Sequence, residues 1–390
     1  MNAREQFLRV MDFDTSVPAL KAEYGYWTTA VKRFIKEGLP VKEPLPEDLP
    51  DNGTISGAAE LFPSSAVAVD KNLRAYFGLD PYPAKFPFDL SPLYREEVLE
   101  ETAEMRVYKD TYGITKKIRK TGTATPLEIS YPIKNRKDFE EYKERYSRDF
   151  SQRLPRDWKK VKKSLQDRTF PLRLGGFPYG FFGFPRHLIG TKDLYFVMYD
   201  DPGLIHDMNS FFLDFVMDYW DELLSDVKPD MVLIWEDMAG KTGSLISPGM
   251  FREFMTPYYR KIIDYFKQFR ISNIFVDSDG YIEDLIPLWL ETGINGLFPF
   301  EIQAGNDMLR IRSEYPDLKI LGAVDKRVFM ADRSEADIDR ELAKTKKLLL
   351  DGGYVPHADH HVPDDSCFKN FSYYRTQLNN IIDDCVKGDT

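Results

Sequence analysis

The sequence predicts an α/β fold, a (β/α)8 barrel of the TIM type with an N-terminal extension and a β-hairpin insertion. Two observations carry this expectation. Short apolar runs alternate with helical patterns through the second half of the chain, and five successive runs end in ionisable residues. Buried strands alternating with amphipathic helices are the rhythm of a parallel sheet with crossover helices.

In chain order, Pro18 to Tyr24 is the first strand candidate and Phe170 to Phe177 (FPLRLGGF) the next. Asp201-Pro202 then caps a long helix that carries Leu204, Ile205, Met208, Phe212 and Phe215 on one face. Met231 to Trp235 (MVLIW) is a strand, and Ser247-Pro248 starts a helix with Phe251, Phe254, Tyr258, Tyr259, Ile262 and Ile263 at helical spacing. Asn273 to Val276 is a strand, and a helix from about Ile282 stops at Gly293. Gly296 to Phe300 precedes a helix over Met308 to Glu314. Leu318 to Val324 precedes a helix that opens on the capping box Ser334-Glu-Ala-Asp337 and ends at Gly352. Tyr354 to Pro356 is the last strand, and a C-terminal helix runs from about Ser366. These make seven units, with room for an eighth in the weakly patterned regions, and eight close a barrel. A doubly wound open sheet is the alternative, but no G-x-G-x-x-G follows any strand.

Residues 40–165 break the rhythm. Pro40 to Pro50 reads as a linker or loop, and Met105 to Lys120, centred on Asp110, Tyr112 and Gly113, as a β-hairpin. The stretch is expected to be an insertion covering one barrel end, within a single domain over 1–390.

Composition narrows the function. A chain of 390 residues that is 43% hydrophobic supports a large core, and a net charge of -10 argues against nucleic-acid binding. No run of 18 apolar residues implies a membrane span, and Met1 to Val10 lacks the apolar core of a signal peptide. Cys367 and Cys385 make no disulfide framework or zinc-finger spacing. A cytoplasmic enzyme is the simplest reading.

The strand ends carry the chemistry. They read Glu236-Asp237, Asp277-Ser278-Asp279-Gly280, Glu301, Asp325-Lys326 and His357-Ala-Asp359-His360-His361. In a barrel these ends converge on one face, where barrel active sites lie. Each has a plainer explanation. Asp277 or Asp279 can serve only as a helix cap. Glu301 can pair with Lys326, and Asp325-Lys326 can be a local ion pair. Three of the five histidines fall within five residues, which a chance surface cluster would also give. Several carboxylates in one pocket need a bound metal, a cationic substrate or a proton on one of them. The aromatic, glycine-rich run Gly175 to Pro185 reads either as a wall for a flat or cationic ligand or as a tightly turning buried loop. Lys241 reaches an anionic group or is a surface lysine.

The runs Trp235 to Arg252, Val276-Asp-Ser-Asp-Gly280 with Leu285-Ile-Pro287, and Gly353 to Pro363 resemble the uroporphyrinogen decarboxylase superfamily, which includes corrinoid-dependent methyltransferases. The resemblance runs over roughly residues 170–385 and more weakly over Arg4 to Met11 and Tyr24 to Trp27. It implies a (β/α) barrel. Two departures qualify it. Lys21 to Trp27 offers no arginine cluster to grip substrate carboxylates. Where zinc methyltransferases of the family place a His-x-Cys pair and a later Cys, this chain has Asp277-x-Asp279 and, approximately, Asp359.

The expected reaction is therefore methyl transfer from a small methylated substrate to a corrinoid protein. Decarboxylation of uroporphyrinogen or a related acid, metal-dependent hydrolysis and non-catalytic ligand binding are the alternatives. The expected catalytic residues are Glu236, Asp277, Glu301, His357 and His360. Tyr26, Phe177, Tyr179, Lys241, Asp325 and Lys326 are expected to bind substrate. Asp277, Asp279, His357 and Asp359 are expected to hold zinc or another divalent metal. A homodimer is the expected assembly.

Overall fold

Seven short strands share one parallel sheet in the order of the chain. They are β1 (Ala84–Lys85), β2 (Leu172–Gly175), β3 (Met231–Trp235), β4 (Ile274–Asp277), β5 (Gly296–Phe298), β6 (Lys319–Val324) and β7 (Tyr354–Ala358). The computed structural model describes residues 1–59, 68–87, 89–92, 94–121, 125–147 and 149–386. Every residue of β6 and β7 is buried. That burial explains why the strands read as unbroken apolar runs, because helices cover the outer face and side chains fill the inner one. The result is a curled parallel sheet of the TIM kind. Buried apolar side chains from Phe7 to Cys385 form one contiguous core around it.

The expected strand over Pro18 to Tyr24 is absent. Side chains satisfy that segment instead of a ladder: Gln6 Nε2 donates to the Pro18 and Ala19 carbonyls, and Asp80 accepts from the Lys21 amide. A strand forms only at Gly25–Trp27, antiparallel to Thr54–Ser56. Residues 21–27 nevertheless fill the space between β7 and β1. Val362 N donates to Gly25 O at 3.0 Å, Ala358 N donates to Glu23 Oε2 at 3.1 Å, and Asp80 N donates to Lys21 O at 2.8 Å. Glu23 is fixed by Arg375 at 2.9 Å, with both side chains fully buried. The additional strand that the pattern left room for is β1, two residues long and parallel to β2.

The helices follow their caps. Asp201 accepts from Leu204 N at the start of Pro202–Leu224, and Ser334 forms its capping box at the start of Glu335–Asp351. The apolar pattern from Phe251 to Ile263 spans two helices, Pro248–Phe254 and Thr256–Gln268. Pro257 lacks the amide that a continuous helix would use there. The expected helix from Ile282 begins later, at Ile286, and ends at Gly293.

Within residues 40–165 the expected hairpin forms from Met105–Lys109 and Thr115–Arg119, flanked by Glu97–Glu101 and Leu127–Ser130 in a four-stranded antiparallel sheet. Asp110 Oδ1 accepts the Tyr112 and Ile114 amides and fixes the hairpin tip. The Tyr112 ring then meets Phe177, 5.9 Å away between centroids. No helix of the described residues is long and apolar enough to cross a membrane.

Candidate active site

A cleft of about 220 Å³ opens where β2, β3 and β4 end. Its lining divides by chemistry. Lys85 of β1 and Arg173 of β2 supply positive charge, while Asp237, Asp277 and Asp279 supply negative charge. Tyr24, Phe177, Trp235 and Phe298 supply rings, and His360 completes the wall. Trp235 and Asp277 are register partners on β3 and β4, and Asp277 is the register partner of Phe298 on β5, so these three groups stand side by side.

Of the residues expected from the sequence, Asp277, Asp279, His360 and Phe177 line this cleft. Glu236 does not. Asp237 takes a positive φ of 46°, and the chain turns there. Asp237 faces the cleft, while Glu236 points into the glycine-rich loop, where it is fully buried. Its carboxylate accepts the amides of Phe181 at 2.8 Å, Phe182 at 2.7 Å and Gly183 at 2.8 Å, and the Tyr259 hydroxyl as well. Burial pushes its pKa above the ordinary carboxylate value, and these four donors pull the other way. The loop approaches so closely that a Cβ on Gly180 would lie 1.9 Å from the Trp235 carbonyl oxygen, so only glycine fits.

Glu301, beside the cleft, accepts from Gly280 N at 2.9 Å and pairs with Lys326 at 3.3 Å. Burial opposes its ionisation, but the Gly280 amide and Lys326 outweigh burial and hold its pKa below the usual value. Asp325 turns away from the cleft: Arg327 binds both its oxygens, and Arg327, not Lys326, is its ion partner. Tyr26 is fully buried against Phe371, because its strand pairs outward with Thr54–Ser56; Tyr24 lines the cleft instead. Tyr179 is buried against Phe212 and Trp220. Lys241 is exposed at the turn between the two-residue strands Ala239–Gly240 and Gly243–Ser244.

The four expected metal ligands do not come together. Both oxygens of Asp359 are taken by backbone amides, from Lys326 at 3.1 Å and Ile302 at 2.9 Å. His357 is fully buried with Nδ1 at 2.7 Å from Ala358 O, and its ring lies among Tyr24, Tyr82 and Phe298. Burial holds its pKa down at about 3, so the imidazole is neutral. Only Asp277 and Asp279 share the cleft. Among the described residues, no three His, Cys, Asp or Glu side chains are placed to hold a metal. The residues present do not fit the expected metal.

Charge in the cleft is left unbalanced. Asp237 pairs with Arg186 at 2.5 Å, but among the described residues Asp277 and Asp279 make no ion pair with lysine or arginine, and Arg173 makes none with a carboxylate. Burial and then Asp279 drive the Asp277 pKa well above its ordinary value. Burial and then Glu301 bring Asp279 up to about 7. Burial and then Arg173 bring Lys85 down to about 8, and burial with Lys326 brings His360 down to about 4. Such displaced groups gathered in one cleft make it the candidate functional site.

Asp279 gives a direct test. Its pKa is raised from 3.8 to about 7, so ionisation costs the folded state stability. The cost is absent below the unfolded pKa and complete above the folded one. Asp279→Asn should therefore be more stable than the parent at pH 8 and equal to it at pH 3. The side chain is 42% exposed, so screening reduces the gain to about 1 kcal/mol. Chemical denaturation at both pH values checks this, and a variant less stable at pH 8 would show that Asp279 is stabilised as the anion.

The sequence reading passed over Arg173, Lys85, Asp237, Trp235, Tyr24 and Phe298. Arg173 had a signal: a cation inside an otherwise apolar strand must face a polar interior space. Among the described residues it is the one arginine that lines the cleft, and it comes from β2, outside the Lys21 to Trp27 segment that offers no arginine cluster.

Comparison with known proteins fits this architecture. The family model for uroporphyrinogen decarboxylase (URO-D) matches residues 104–374, well over half of the chain. The chain belongs to the uroporphyrinogen decarboxylase family. The family likeness read from the sequence is thereby established. A methyltransferase from Methanosarcina mazei is similar in structure, with a TM-score of 0.60 over 98% of this chain and 99% of that one, at 15% sequence identity. At that identity the likeness speaks for the fold. No curated protein matches the chain.

Proposed function

We propose that this member of the uroporphyrinogen decarboxylase family is a methyltransferase acting on a small methylated substrate, with the methyl group passing to a corrinoid protein. In this reading the chain is one barrel domain, and residues 21–27 complete the ring between β7 and β1. The observation that carries the proposal is the lining of the cleft. Asp237, Asp277 and Asp279 would repel a four-ring macrocycle bearing eight carboxylates. The likeness to a protein named as a methyltransferase adds support.

The corrinoid on its carrier supplies the cobalt that accepts the methyl group. The chain's own residues bind and orient the donor. Arg173 and Lys85 hold an anionic or strongly polar end. Asp277 and Asp279 face the remainder of the donor, and the rings of Tyr24, Phe177 and Trp235 exclude water around the methyl group.

The test mixes the protein with reduced cobalamin and a panel of small methylated amines, ethers and thioethers. The expected result is formation of methylcobalamin, followed spectrally, together with no carbon dioxide release from uroporphyrinogen. Turnover of uroporphyrinogen with no methyl transfer would overturn the proposal. The Arg173 and Lys85 pair favours a second reading, decarboxylation of a small acid, which carbon dioxide release from that acid would identify.

A further inference from the structure

We infer that the cleft recognises a small zwitterion, a carboxylate joined by a short chain to a methylated ammonium group. This rests on the reading of the cleft as the substrate site and names the class of substrate. Three observations combine. First, the lining holds charge of both signs without a direct ion pair between them: among the described residues Asp277 and Asp279 make none with lysine or arginine and Arg173 makes none with a carboxylate, so Arg173 and Lys326 offset the two carboxylates only in part. Second, the two signs face one another within the cleft. Arg173 sits on β2 level with Met231, its guanidinium reaches up to Gly176, and it lies close enough to Asp277 to oppose the rise of the Asp277 pKa. Third, the acidic side is walled by rings. Phe177 packs edge-on against Trp235 at 4.7 Å, and Arg186 lies over the Trp235 ring at 5.1 Å. The Trp235 ring thus already meets one delocalised cation, and the rings of Tyr24 and Phe177 remain beside it in the lining.

A purely anionic ligand leaves Asp277 and Asp279 facing its tail, and a purely cationic one leaves Arg173 uncompensated. An uncharged ligand leaves both desolvated charges without a partner, which is costly in a partly dry cleft. A short zwitterion satisfies both signs. A methylated ammonium suits the acidic side better than a bare one, because its methyl groups lie against the rings while the charge stays within reach of the two carboxylates.

Titration calorimetry on the full chain at pH 7.5, with no corrinoid protein present, tests this. The probes are trimethylammonio carboxylates with one to three methylenes between the charges. The controls are choline, which lacks the carboxylate, and 3,3-dimethylbutyrate, in which carbon replaces the charged nitrogen. The expected result is that at least one zwitterion binds more than tenfold tighter than either control. Arg173→Gln should abolish the advantage over choline, and Asp277→Asn the advantage over 3,3-dimethylbutyrate. Asp279→Asn serves as the second acidic variant if Asp277→Asn does not fold. The inference is overturned if no zwitterion binds, or if both controls bind as well as the best one. Binding without corrinoid separates the two claims. Zwitterion binding with no methyl transfer defeats the methyltransferase reading alone, and methyl transfer from an uncharged donor with no zwitterion binding defeats this one alone.

Discussion

Glu236→Gln should lose about 3 kcal/mol of folding stability, although the substitution preserves shape. The carboxylate accepts three backbone amides and the Tyr259 hydroxyl while fully buried. Gln keeps one oxygen and turns the other acceptor into a donor. On either side of the side-chain amide, an N–H would then meet an N–H. Leaving buried donors unsatisfied costs about 1–3 kcal/mol each, and hydrogen bonds to a charged acceptor are stronger than neutral ones. The amides of Phe181, Phe182 and Gly183 also open the helix Gly183–Ile189, where a negative charge is favoured by the helix dipole. Chemical denaturation with the midpoint compared at equal slope measures the loss. A change below about 1 kcal/mol would mean that Glu236 is protonated in the parent and that the loop is held by other contacts. Because Phe177 and Arg186 flank the same loop, the variant should also lose ligand binding in proportion to the loss of loop order.

Asp277→Asn should lower kcat/KM for methyl transfer about 100-fold while leaving the protein at least as stable as the parent. A hundredfold loss corresponds to about 2.7 kcal/mol, the scale of one charged contact in a partly desolvated site. The direction of the stability change follows from the raised pKa. Burial and Asp279 make the Asp277 anion unfavourable in the free protein, so removing the charge relieves the fold and harms only what the charge was placed to bind. Steady-state kinetics paired with thermal unfolding reads both quantities. Loss of activity together with loss of stability would make Asp277 a structural group. Unchanged activity would place the reaction outside this cleft. The opposite signs of the Glu236 and Asp277 stability effects separate a carboxylate that holds the scaffold from one that waits for a ligand.

The two residues stand on neighbouring strand ends and looked alike in the sequence. What separated them was the turn at Asp237, a local backbone choice that no spacing rule announces. The long apolar strands were legible because burial on both faces forces continuous hydrophobic runs. Met231–Trp235 was placed to the residue, and the other main strands within a few residues of their ends. Lys85 lay beyond reach: β1 has two residues between Pro83 and Pro87, and no periodicity survives at that length. The expected metal set failed for a related reason. Spacing placed Asp359 and Asp279 on comparable strand ends, but the turn after β7 hands the Asp359 oxygens to the Ile302 and Lys326 amides. Position along a strand was readable, whereas the direction of a side chain in a turn was not.

The short β1 and the irregular segment 21–27 have a mechanical meaning. Strands β1 to β7 lock to one another by ladders, whereas residues 21–27 join β7 to β1 by a few scattered bonds. Tyr24 belongs to this loosely fastened segment, while Lys85, Trp235 and Asp277 belong to the laddered strands. A molecule held at once by both sides acts as a clasp across the joint. By mass action it resists parting of the staves by RT ln(1 + [L]/Kd), about 2.7 kcal/mol when ligand stands at about 100 times its Kd. A ligand held by both Tyr24 and the laddered strands would then itself help to fasten the curled sheet.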